Sequence, residues 1–319
     1  MSSSPILLVD GLNLFMQHFV ANPSMSTHGN HVGGVVGFMK ALSYLTSRTG
    51  PKKIIVVWEG GGSPRRRAIY KNYKSGRRPQ KLNRYYGGEI PDTIQNRDDE
   101  ISMLITLLSC APVTQVYVTD CEADDIAGYI VKRCFPDDRM VIVSSDKDMY
   151  QLLSKRVIQW SPGQKSFVNM KNVKEKFGIH VNNFCTARSF VGDPSDSLEG
   201  VPRVGFASLV KRFPEIGNSD HVSVEQIVEK SEKMIEKSKL KIYTNISQYS
   251  DIALRNWKLM YLDTQNLSAT QINKVRHTIE SKDFTCDKLS LIKNMIKYGI
   301  NNFDADSFFA SLRTVTRRT

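Results

Sequence analysis

Apolar residues along the chain fall into short unbroken runs separated by stretches of helical periodicity. The runs are residues 5–10 (PILLVD), 52–59 (KKIIVVWE), 114–119 and 139–145 (RMVIVSS). Continuous rather than alternating hydrophobicity predicts strands covered on both faces. Between them, residues 32–45, 92–109 and 123–134 carry apolar positions at helical spacing. Strands alternating with helices predict an α/β fold with a parallel, doubly wound sheet, whose ligands bind beyond the carboxyl ends of the strands. Two further short strands, 156–161 (RVIQWS) and 166–170 (SFVNM), flank Pro162-Gly163 as a hairpin. The division expected is residues 1–171, α/β, and residues 172–319, helical throughout. In the second part, Gly200-Val201-Pro202-Arg203-Val204-Gly205 reads as a compact turn leading into an amphipathic helix with Lys211 and Arg212. Beyond about residue 220 the pattern is one of packing: 230–241 reads as an exposed lysine-rich helix, and 259–263 and 292–298 as buried elements.

Polar residues at the strand ends change the picture. Asp10, Glu59, Glu122 and Asp146 each follow a predicted strand directly or within a few residues, on the same edge of the sheet. One such carboxylate is an ordinary turn former or helix N-cap, but four on one edge exceed what capping requires. The stretch 120–148 adds Asp124, Asp125 and Asp148. Asp124 and Asp125 also suit the macrodipole at a helix start. Carboxylates gathered this closely repel one another unless a cation lies among them. A divalent-metal site is therefore expected; further along, Asp193 and Asp196 lie on one face of a turn shortly before the Gly200–Gly205 segment. None of the six histidines has metal-like or triad-like spacing, and the five cysteines show neither CxxC nor disulfide spacing.

Charge then names the partner. The chain of 319 residues has 44 Lys and Arg against 32 Asp and Glu, a net charge of +12. A surface that favours a polyanion around a spot that attracts cations fits nucleic acid plus metal. Residues 60–88 contain Arg65, Arg66, Arg67, Lys71, Lys74, Arg77, Arg78, Lys81 and Arg84 with interleaved tyrosines and no acidic residue. Such a loop suits phosphate neutralisation and base stacking, the plain alternative being a solvated surface loop. The glycines of the 200–205 turn can expose backbone N–H groups to a phosphate. The N-terminus has no signal-peptide pattern and no apolar run reaches the ~20 residues of a membrane span, so a soluble, cytoplasmic protein is expected; a monomer is expected too.

The pieces LLVDGLN, VVWEGGGSPRRRAIYKNYKSGRR, CEADDIAGYIVKR, VIVSSDKDMYQLL, RVIQWSPGQKSFV and VGDPSDSLEGVPRVG together resemble the 5′-nuclease (flap endonuclease-like) family. The likeness is greatest to the phage branch whose members are named ribonuclease H, for which a host-cell cytoplasmic site follows. This resemblance implies a resolvase/PIN-like nuclease domain followed by helices containing a helix–hairpin–helix element at about 184–213. It implies hydrolysis of phosphodiester bonds at 5′ flaps, nicks and RNA primers in DNA replication, using two Mg²⁺ ions, with Mn²⁺ able to substitute. By the same likeness, Asp10, Glu122, Asp124 and Asp125 serve the first metal, Asp146 bridges, and Asp148, Asp193 and Asp196 serve the second. The segment with Tyr73, Lys74 and Arg77 matches the family's arch, at about 60–100, where lysine and arginine meet the scissile phosphate and tyrosine stacks on a terminal base. Arg65, Arg66, Arg67, Lys71 and Arg78 would line the strand. Gly200, Arg203, Gly205 and Lys211 would hold duplex backbone, with K⁺ bound there in some members. A single-strand-binding protein or sliding clamp is a candidate partner. One departure stands out: Glu59 occupies the place of a family aspartate, moving the carboxylate by roughly 1.5 Å.

Two rival readings share parts of this pattern. A PIN-type ribonuclease has the sheet and acidic cluster but lacks the turn at 200–205. A noncatalytic DNA-structure-binding protein would follow if Glu59 disables the site.

Overall fold

The computed structural model describes residues 4–76, 93–281 and 286–316. A six-stranded sheet has the order β3-β2-β1-β4-β5-β6. Its strands are β1 (Ile6–Asp10), β2 (Lys53–Trp58), β3 (Thr114–Tyr117), β4 (Met140–Val143), β5 (Val157–Ser161) and β6 (Ser166–Val168). The first five are parallel, with Ile6 opposite both Lys53 and Met140, and β6 returns antiparallel with Phe167 opposite Trp160. Helices α1 (Gly11–Ala21), α2 (Gly33–Thr49), α3 (Pro64–Ile69), α4 (Thr93–Leu108) and α5 (Ala123–Tyr129) connect the first four strands. Strand order reverses between β1 and β4, and a crevice opens where their connections diverge.

Alternate residues of each strand face opposite sides, so the sheet separates two cores. Leu7, Val9, Ile54, Val56, Val141 and Val143 pack with α1, α2 and α4. Ile6, Leu8, Ile55, Val57, Val116 and Ile142 pack with α5 and with the helices of residues 184–279. The helices Lys288–Lys297 and Ala305–Ser311 return to the first side, where Leu291, Met295 and Phe308 join the core of α2 and α4. The described chain after residue 172 is helical, as expected, and its two ends lie on opposite faces of the sheet. Helix Met170–Phe177 itself runs across the position expected to divide the two parts.

Three elements differ from the pattern read along the sequence. The segment after Asp10 is a full helix, α1, because Leu14, Phe15 and Phe19 form a buried stripe. The helix expected over 123–134 is α-helical only to Tyr129 and continues as a π-helical turn, Ile130–Cys134. The lysine-rich segment expected as one helix is split, Val224–Ile235 ending before Lys241–Gln248 begins. Among the described residues, no helix is long and apolar enough to cross a membrane.

Candidate active site

Asp10 ends β1 and caps α1: one carboxylate oxygen accepts the Asn13 N–H at 3.1 Å, the other the Ser144 hydroxyl at 3.1 Å. It is thus a cap and a site residue at once. A side chain at the next position would lie 2.7 Å from the Trp58 ring and 2.9 Å from the Val57 carbonyl, so Gly11 lets α1 start directly against β2. Beyond β4, Asp146 accepts the Asp148 N–H at 2.8 Å, and the Gln159 side chain donates to the carbonyls of Ser144 and Asp146. β5 therefore fixes the loop that carries Asp146. Glu59 follows β2, and Asp124 lies in the first turn of α5. Asp10, Glu59, Asp124 and Asp146 line one cleft of about 1030 Å³, together with Lys74, Arg97 and an apolar wall that includes Met16, Val20 and Ile94. The extra methylene of Glu59 does not take it out of the group.

The carboxyl groups strain against one another. Burial, reinforced by Asp146 and Glu59, pushes Asp10 up to about 7, although the Asn13 amide and Ser144 hydroxyl pull it down. Asp124 is raised well above the usual range by burial and then by Asp146 and Asp10. Burial also raises Asp146, opposed by the Asp148 N–H and Arg188. Asp148 is pushed up to about 7 by burial and Asp146. A cation in the cleft would relieve this repulsion.

The remaining expected ligands are occupied. Asp125 accepts from both terminal guanidinium nitrogens of Arg66, at 2.5 and 2.8 Å, and from the Asn266 amide at 2.8 Å. Glu122 accepts from Arg66 at 3.0 Å and Tyr73 at 3.0 Å, and pairs with Lys74 Nζ at 2.8 Å. Asp148 and Asp193 share Arg188, the Asp148 contact measuring 2.7 Å. Asp193 also accepts the N–H and hydroxyl of Ser195 as a turn cap. Asp196 accepts the Tyr73 hydroxyl at 3.3 Å. The expected ligands thus form an inner group open to the cleft and an outer group tied by two arginines, a tyrosine and a lysine.

This arrangement corrects two expectations. Arg66, read as a nucleic-acid contact, is 2% exposed and serves as an internal cation. Burial disfavours its charge, but Asp125 and Glu122 more than offset that and raise its pKa. Its Nε also donates to the Leu259 carbonyl at 2.7 Å, so the helix Ser250–Met260 is tied to the site. Tyr73, read as a stacking platform, is buried with its hydroxyl turned to Glu122 and Asp196, and its ring packs against Cys185 and Leu198. Arg65, Arg67 and Lys71 are exposed, as their reading requires, while Arg77 and Arg78 lie outside the described residues. In the 200–205 turn, Arg203 is exposed with φ of +62°, Lys211 is exposed, and a Cβ on Gly200 would lie 2.1 Å from the Val191 carbonyl. The Gly205 N–H is already donated to the Ser208 hydroxyl, so it is not open to a phosphate. Arg188, Ser144 and Asn266 were not anticipated. A lone arginine four residues before the Gly192-Asp193 turn was the one available signal for the first.

As they stand, no three His, Cys, Asp or Glu side chains among the described residues close around one point that could hold a metal ion. The donor set nonetheless fits a hard, hydrated cation. Mg²⁺ keeps several waters and takes only one or two carboxylates directly, so a wide ring of oxygens suits it.

Comparison with known proteins agrees with this fold. The family described as "5'-3' exonuclease, N-terminal resolvase-like domain" matches residues 5–178. A 5′-3′ exonuclease of Buchnera aphidicola is 25% identical over 304 residues, covering 92% of this chain and 93% of its own length. The flap endonuclease Xni of Shewanella woodyi is 26% identical over 264 residues, covering 81% and 93%. The flap endonuclease of bacteriophage T5, solved in a pseudo-enzyme–product complex with DNA and metal ions, superposes with a TM-score of 0.68 at 20% identity. That match covers 86% of this chain and 98% of the phage protein, and it shows the same fold. Since the family match spans more than half of the chain, the protein belongs to the 5′-3′ exonuclease family and is a nuclease.

Proposed function

We propose that the protein is a divalent-metal-dependent 5′ to 3′ exonuclease and flap endonuclease that cuts phosphodiester bonds of DNA and RNA–DNA. The observation that carries this reading is the meeting of Asp10, Glu59, Asp124 and Asp146 in one cleft with Lys74 at its edge. The inner four carboxylates would hold the metal, and Asp148, Asp193 and Asp196 would hold or orient a second ion. Mg²⁺ is the expected ion, with Mn²⁺ in its place. Bound there, such ions supply a nucleophilic water and offset negative charge on the reacting phosphate. The protein's own groups do the rest. Asn13 and Ser144 orient Asp10, and Gln159 fixes the loop of Asp146. Lys74, which lines the same cleft, would bring a positive charge to the phosphate, where charge grows in the transition state. The exposed Arg65, Arg67 and Lys71 would follow the displaced strand, and Arg203 and Lys211 the duplex backbone.

The test uses 5′-labelled flapped DNA, nicked duplex and RNA–DNA hybrid with Mg²⁺, beside Asp146→Asn. Cleavage by the wild type, reduced at least ~100-fold in the variant with flap binding kept, is the expected outcome. Tight flap binding without cleavage of any substrate would overturn it.

A further inference from the structure

Besides the Tyr73 hydroxyl, the backbone of the basic segment meets the second half of the site at Lys74 and Gly76. Lys74 adopts a left-handed backbone, φ +59°, which a non-glycine residue holds only where its surroundings enforce it. Its N–H donates to the Asp196 carbonyl at 2.9 Å. Two residues on, the Gly76 N–H donates to the Ser197 hydroxyl at 2.9 Å. Ser197 is itself left-handed, φ +59°, at the end of the turn Pro194–Asp196. The approach is close: a Cβ on Gly76 would lie 2.9 Å from the Ser197 hydroxyl oxygen. Neither residue belongs to the carboxylate set.

We infer that Ser197 is a positioning residue for Lys74. The hydroxyl and the neighbouring carbonyl grip the backbone on both sides of Ser75, and that grip holds Lys74 in its left-handed conformation. From this backbone the side chain lines the cleft, and its Nζ lies 2.8 Å from Glu122 behind it. Without the grip the residue relaxes toward φ below zero, and its side chain leaves the cleft edge. The turn that carries Asp193 and Asp196 therefore also sets the place of the lysine, joining two parts of the site that are 120 residues apart in sequence (74 and 194). This role rests on the proposed contact of Lys74 with the reacting phosphate.

A double-mutant cycle tests it on flapped DNA with Mg²⁺, using the full chain. Ser197→Ala and Ser197→Gly each remove the hydroxyl, and the glycine keeps the backbone comfortable, so a folding defect cannot account for both. Each should lower kcat on the order of tenfold with KM and Tm near those of the wild type. Ser197→Asn supplies a side-chain carbonyl acceptor on a residue that tolerates the left-handed region, and should restore most of the rate. In a Lys74→Ala background, Ser197→Gly should cost nothing further, because its effect passes through Lys74. Losses that add in the double variant, or an unchanged kcat in both single Ser197 variants, would overturn the assignment. A wild type that cleaves nothing would instead strike the nuclease reading itself.

Discussion

Arg66 shows how much of the site is held by charges that never meet substrate. It is almost completely buried and answers Asp125, Glu122 and the Leu259 carbonyl at once. Arg66→Met would leave buried Asp125 without its cation and Glu122 with Lys74 alone, and breaking a buried pair in this way typically costs about 3–5 kcal/mol. Urea unfolding should show a loss of that size, and Arg66→Met combined with Asp125→Leu should recover much of it. The inner carboxylates behave in the opposite way, because their repulsion opposes folding until a cation is bound. Mg²⁺ at ~100 times its dissociation constant should add about 2.7 kcal/mol of stability. A thermal melt should therefore rise by several degrees for the wild type and by much less for Asp10→Asn. Equal shifts in both proteins would remove Asp10 from the metal site.

At the scale of elements, the sheet edge was legible and the pairing within it was not. Runs such as ILLVD and MVIV announce buried strands, and carboxylates just past their ends announce one edge, since parallel strands end together. Glu59, whose chemistry departs from the expected aspartate, lines the same cleft because β2 delivers it there whatever its length. The sequence could not say which acids are matched by internal cations. Arg65, Arg66 and Arg67 look alike in a row, and only the winding of α3 turns the middle one inward. Tyr73 was misjudged for the same reason, since an aromatic in a basic tract reads as exposed until its hydroxyl is seen to have acceptors. The turn at 200–205 makes a separate prediction. Gly200→Ala would drive a Cβ into the Val191 carbonyl, a backbone obstacle that cannot swing aside. The expected result is a higher KM for flapped duplex with kcat largely kept, because the turn is proposed to hold duplex rather than to cut it. A fall in kcat alone would place that turn in the chemistry.

For the whole molecule, a net charge of +12 surrounds a cleft of carboxylates. Association with DNA should weaken steeply as salt rises, each phosphate contact contributing about 0.9 to the slope of log K against log salt. Lys71→Ala and Arg203→Ala, both at exposed positions, should each reduce that slope by about one and weaken binding evenly across sequences. A slope that does not change would remove those side chains from the interface. The return of Lys288–Lys297 and Ala305–Ser311 to the core of α1, α2 and α4 carries a consequence for how the protein is made. A chain emerging from the ribosome can assemble β1 through β6 early, but α2 and α4, which cover one face of that sheet, lack their own outer neighbours until residues 288–311 appear. Until then α2 and α4 are without the apolar contacts that Leu291, Met295 and Phe308 bring. The nascent nuclease is thus expected to offer apolar surface to chaperones until that pair of helices has been made.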